Sequence, residues 1–140
     1  MRFKSLQKGI ITERIKESKE FYTKVLGLRV KYESDWFALL CLPERPEYEI
    51  GFMLPGLEQV RKDYFQQKYA GAGVWIILES ENVAQDYERM KDNGAPIDLH
   101  LTEEEWGDVH FTLVDPNGIG IDIVQAREAE AGQGMEEISA

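Results

Sequence analysis

Apolar positions recur along this chain with two periods, one of a strand and one of a helix. Residues 5–12 predict a short strand. Over residues 14–25, Ile15, Ser18, Phe21, Tyr22 and Val25 fall on one side of a helix, and Lys16, Glu17, Lys19, Glu20 and Lys24 fall largely on the other. Gly27 is a natural stop, because glycine accepts the left-handed conformation that ends a helix. Strand-like runs follow at 28–33, 36–42 and 48–54, with Ser34-Asp35 as a hairpin turn and 43–46 as a loop. Residues 56–69 are polar with Val60, Tyr64 and Phe65 as apolar points, and they predict a linker helix. A strand at 74–79 comes next. A helix over 83–91 follows, capped by Asn82, with Val83, Ala84, Tyr87 and Met90 as its apolar points and Asn93-Gly94 as its end. Further strands are predicted at 97–102, 108–114 and 119–124.

The order strand, helix, three strands therefore occurs twice. In each half an aromatic residue of the helix, Tyr22 or Tyr87, precedes a stopping glycine, Gly27 or Gly94, and then a strand. Identity between the halves is low, so the repeat is one of architecture. The last strand opens from the turn Asp115-Pro116-Asn117-Gly118, whose residues suit a tight reversal. Alternation puts Ile119, Ile121 and Ile123 on one face and Gly120, Asp122 and Val124 on the other. A carboxylate in so apolar a strand lines a cavity or needs a partner. On the preceding strand the same alternation sets His110 with Thr112, opposite Val109, Phe111 and Leu113.

At 140 residues the chain fits a single domain. Its net charge of −10 speaks against nucleic acid and against anionic membrane surfaces, which both recruit clustered Lys and Arg. Residues 127–140 are small, acidic or glycine and are expected to form a flexible acidic tail. The single cysteine, Cys41, lies in an apolar run and reads as a buried small hydrophobe. The N-terminal stretch lacks the apolar core of a signal peptide, and no segment reaches the ~20 apolar residues of a membrane span, so the expected location is the cytoplasm.

Three motifs carry a family resemblance: Ser18-Lys19-Glu20-Phe21-Tyr22-Thr23-Lys24-Val25-Leu26-Gly27-Leu28, Glu105-Trp106-Gly107, and Val114-Asp115-Pro116-Asn117-Gly118. With the repeated strand–helix order they resemble the vicinal oxygen chelate superfamily, which includes glyoxalase I, bleomycin-resistance proteins and extradiol dioxygenases. The resemblance implies an α+β fold of two tandem βαβββ modules forming a cup-shaped mixed sheet. The domain would span about 1–126, with module one at about 5–55, the linker helix at 56–69 and module two at 72–126. It also implies a homodimer.

Metal enzymes of the superfamily hold a divalent ion with four side chains, typically His, Gln or Glu, from the first and last strands of each module. Carried over by counting from the helix motifs, those positions fall on Gln7, Gly51, Trp75 and Asp122. Gln7 and Asp122 offer oxygen. Gly51 has no side chain, and the Trp75 indole can only donate. Glu49, two residues from Gly51, shares its strand face.

The leading expectation is a small-molecule-binding protein of the bleomycin-resistance type, without the standard metal centre and without another cofactor. Its ligand-binding candidates are Trp75, Asp122, His110, Trp36, Trp106 and Met53: aromatic and apolar wall with few polar groups, as organic ligands require. A second reading is a metal-dependent lyase, isomerase or dioxygenase, with Gln7, Glu49, His110 and Asp122 as the ligands. A third is a metal-free enzyme in which His110 or Asp122 is the base. His100 reads as a surface residue. Glu103-Glu104-Glu105 reads as a solvated loop, or in the sharper version as an acidic lip for cationic ligands.

Overall fold

The computed structural model describes residues 1–126, so the acidic tail expected over 127–140 lies outside the described residues. The chain divides into two compact units, one ending at Gly71 and one beginning at Ala72.

In the first unit β1 (Leu6–Ile11) leads to α1 (Ile15–Glu20), which widens into a π-type turn over Phe21–Val25. Three strands follow: β2 (Arg29–Glu33), β3 (Phe37–Cys41) and β4 (Tyr48–Met53). The sheet order is β1-β4-β3-β2. β1 runs parallel to β4, as it must after a helical crossover, and the other pairs are antiparallel. The apolar helix face behaves as its spacing predicts. Ser18 and Tyr22 are buried, and the Tyr22 ring lies 5.0 Å from Phe52 and 5.4 Å from Phe21. Ala38, Leu40, Ile50 and Phe52 therefore form the helix side of the sheet. Gly27, at φ 76°, ends the helical segment.

The second unit repeats this plan. β5 (Trp75–Glu79) is followed by α2 (Val83–Asp92), β6 (Ile97–Glu103), β7 (Val109–Val114) and β8 (Gly120–Gln125). The order is β5-β8-β7-β6, again with one parallel pair. Asn82 caps α2 by accepting the Gln85 N–H at 3.1 Å, and Val83, Tyr87 and Met90 face the sheet. Tyr87 meets Phe111 edge-on at 5.2 Å. Ile119, Ile121 and Ile123 are buried, as their alternation predicts. Asp115 holds the turn before them, accepting from the Asn117 and Ile119 N–H groups at 2.8 and 2.9 Å.

One expectation is corrected. The linker helix predicted over 56–69 is absent; that stretch contains a single 3₁₀ turn at Asp63–Phe65. The reason lies in Gln66. Its amide donates to the carbonyls of Leu57 and Val60, and its own carbonyl accepts from Gly56. A side chain thus takes acceptors that a helix would have used.

Candidate ligand-binding face

The face of the second sheet away from α2 is set by register. Trp75 pairs with Gly120, Ile77 with Asp122, and Glu79 with Val124. Across the other edge of β8, Asp122 pairs with Thr112 and Val124 with His110. Paired residues share a face, so Trp75, Ile77, Asp122 and His110 stand on one surface. Trp75 is 60% exposed and Ile77 52%.

Asp122 finds its partner there. His110 Nδ1 lies 2.7 Å from Asp122 Oδ1, and His110 Nε2 lies 2.9 Å from Glu104 Oε2. A neutral imidazole has one N–H, so donating to both carboxylates requires the imidazolium. Burial pushes the His110 pKa down, but the hydrogen bonds to Asp122 and Glu104 and their charges outweigh it, and the net displacement is upward. Two carboxylates around one imidazolium leave the cluster with one net negative charge.

Sequence picked out Glu104 only within the acid run 103–105; Glu103 and Glu105 are exposed, as a solvated loop requires, while Glu104 turns onto His110. The turn between β6 and β7 puts it there. Glu104 N–H donates to Asp108 O at 2.8 Å, Gly107 N–H donates back to Glu104 O at 3.0 Å, and Gly107 has φ 106°. Trp106, half exposed in the same loop, donates its indole N–H to Asp108 at 3.0 Å. His100 is exposed, with Nδ1 2.6 Å from the Tyr87 hydroxyl.

In the first unit the face away from α1 carries Gln7, Glu49, Gly51 and Met53. Gln7 donates to Glu49 Oε1 at 3.0 Å, and Lys31 bonds Glu49 Oε2 at 2.9 Å. The Lys31 hydrogen bond holds the Glu49 carboxyl below its usual pKa; burial opposes this, and Gln7 adds to it. Alternation from Arg29, whose partner Cys41 pairs with Glu49, sets Lys31 on this face, and the bulge between Val30 and Tyr32 turns Tyr32 to it as well. Met53 pairs with Phe37, and the Trp36 ring lies 6.0 Å from the Phe37 ring.

The side chains at the four carried-over positions do not make the metal enzymes' donor set. Gly51 offers nothing, and a Cβ there would stand 3.1 Å from Phe37 Cζ. Trp75 has no lone pair to give. Gln7 is bonded to Glu49, and Asp122 to His110. Among the described residues, no group of three or more His, Cys, Asp or Glu side chains is placed to hold an ion.

Two sheets of this strand order, each backed by one helix, define a protein of the glyoxalase-like fold class. The family model of the Glyoxalase/Bleomycin resistance protein/Dioxygenase superfamily matches residues 4–123, and the chain belongs to that family. It is 25% identical over 131 residues to the lactoylglutathione lyase of Salmonella typhimurium, covering 86% of this chain and 90% of that one. Among solved structures it resembles a glyoxalase/bleomycin resistance protein/dioxygenase from Nocardioides, with a TM-score of 0.74 and 19% identity over 92% of this chain and 87% of the other. TnmS3, an antibiotic binding protein from Streptomyces sp. CB03234, is similar at TM-score 0.66 and 15% identity, with 90% and 98% covered. Among the described residues no helix is long and apolar enough to cross a membrane.

Proposed function

We propose that the chain is a small-molecule-binding protein of the glyoxalase/bleomycin-resistance type that works without the four-ligand metal centre, and that its ligand is an aromatic organic cation. The observation that carries this is Trp75. It stands exposed where counting from the helix motifs carries over a metal-ligand position of the family, beside Ile77 and the net-negative Glu104–His110–Asp122 cluster. An aromatic face next to excess negative charge suits a flat cationic ring, through stacking, cation–π attraction and a carboxylate contact. The likeness to an antibiotic binding protein supports the same reading. It includes a cytoplasmic homodimer, whose assembly sedimentation equilibrium checks.

Titration with proflavine, a planar aromatic cation, tests the proposal. Binding is expected to quench Trp75 fluorescence and to survive a chelator. Asp122→Asn is expected to weaken it about tenfold, a loss of about 1.4 kcal/mol. Absence of proflavine binding to the wild-type chain sinks the reading.

The 25% identity to lactoylglutathione lyases favours one rival, a metal-dependent lyase. One divalent ion per chain, found by elemental analysis after incubation with Ni²⁺ or Zn²⁺, establishes that rival instead. A metal-free enzyme with His110 or Asp122 as base is the third reading, favoured by the 2.7 Å contact between them; it predicts turnover that survives a chelator and is lost on mutation of that residue.

A further inference from the structure

The chain has three asparagines, and the fold treats them differently. Asn82 caps α2: its side-chain oxygen accepts the Gln85 N–H, and the branched Val83 follows it. Asn93 and Asn117 are each followed by glycine, Gly94 and Gly118. Asp115, itself buried, locks Asn117. The Asn117 N–H donates to Asp115 Oδ1 at 2.8 Å, its side-chain amide donates to Asp115 Oδ2 at 3.3 Å, and the Gly118 N–H donates to the Asp115 carbonyl at 3.0 Å. Asn93 and Gly94 are instead both exposed, just past the end of α2. Among the described residues the Asn93 side chain has no hydrogen-bond partner. A Cβ built at Gly94 would meet no atom within 4 Å, so the approach to its peptide group is open. Backbone bonds alone hold this segment: Gly94 N–H to the Lys91 carbonyl at 3.0 Å and Ala95 N–H to the Met90 carbonyl at 2.9 Å. Such bonds at an exposed helix end open far more readily than buried ones.

We propose that Asn93-Gly94 is a self-modification site at which the folded chain deamidates, and that the product loosens the junction of α2 with β6. The Gly94 nitrogen gives its proton to solvent base and forms a bond to Asn93 Cγ. The Cγ–Nδ2 bond breaks, ammonia leaves, and a succinimide ring closes. Water then opens the ring at either carbonyl. One product is aspartate; the other is isoaspartate, in which the chain runs through the side chain. Both add a negative charge to a chain already at −10, at the helix end where the macrodipole and the neighbouring Asp92 disfavour it. Isoaspartate also lengthens the backbone between the Met90 carbonyl and the Ala95 N–H that bonds it. The inference does not depend on what the chain binds.

Peptide mapping by mass spectrometry provides the test, on the full chain kept at mildly alkaline pH beside the same chain unfolded in urea. In urea Asn93 and Asn117 are expected to react at similar rates, since both precede glycine. In the folded chain the product is expected at Asn93, and at least about tenfold more slowly at Asn117, where opening breaks bonds to a charged, buried carboxylate. Asn93→Ala should fold and gain no product at this position. Asn93→Asp, which carries the charge of one product, should melt about 1–4 °C below wild type. No product at Asn93 in the folded chain overturns the inference, whether or not the unfolded chain reacts. Equal rates at Asn93 and Asn117 in the folded chain overturn it as well. If Asn93→Asp and the aged wild-type chain both melt as fresh wild type does, the loosening of α2 is overturned.

Discussion

Raising the pH through the titration of His110 should loosen the second unit by a measurable amount. Below the unfolded value of about 6.5, His110 is charged in both states, and its two carboxylate bonds contribute fully. Its folded pKa is raised, so that contribution is lost as the pH climbs through the higher folded value. What goes is one of the two bonds, because a neutral imidazole can donate to Asp122 or to Glu104 but not to both. A hydrogen bond to a charged group contributes about 1.5–3 kcal/mol, and partial exposure of these groups brings the expected loss nearer 1 kcal/mol. The His110 side chain is 13% exposed, Asp122 25% and Glu104 28%, so screening is real but incomplete. At a urea dependence of about 2 kcal/mol per molar, the midpoint should fall by about 0.5 M between pH values of about 5.5 and 8.5. His110→Gln, which does not titrate, serves as the reference and removes the contribution of every other group. A wild-type-minus-variant difference that is flat across this range refutes the reasoning. An NMR titration that places the His110 pKa at or below 6.5 refutes it as well.

Two further outcomes follow from packing. Phe111 is fully buried against Tyr87, so Phe111→Ala should destabilise the chain by about 3–5 kcal/mol in urea unfolding. Gly51→Ala should cost about 1–2 kcal/mol, because Phe37 must move, while Gly120→Ala meets only Trp75 Cβ at 3.9 Å and should stay within about 0.5 kcal/mol of wild type. Equal melting temperatures for the two glycine variants refute the close approach of Phe37.

Much of the framework is legible in the chain because it depends on alternation alone. Ile119, Ile121 and Ile123 are buried where their spacing puts them, and Asp122 and His110 share a face because strand periodicity leaves no other arrangement. What escaped is set by contacts that spacing does not encode. Glu104 sits in a run of three acids, and only the hairpin bonds among Glu104, Gly107 and Asp108 turn it onto His110. Lys31 on β2 reaches across β3 to Glu49 on β4, a contact that depends on the order of strands in the sheet and not on spacing along the chain. The expected linker helix failed for a similar reason. Its residues tolerate a helix, but Gln66 offers the Leu57 and Val60 carbonyls a nearer donor.

The strand order has a consequence for synthesis. β8 emerges after the other strands of its sheet, yet it belongs between β5 and β7. Until Gly120–Gln125 is available, β5 has no neighbour in its sheet, and only the β6–β7 hairpin can form. The first unit meets this condition much earlier, when Tyr48–Met53 has emerged. Vectorial synthesis therefore assembles the two halves one after the other, and any truncation before Gly120 leaves Val74-Trp75-Ile76-Ile77-Leu78 as an uncovered, aggregation-prone edge.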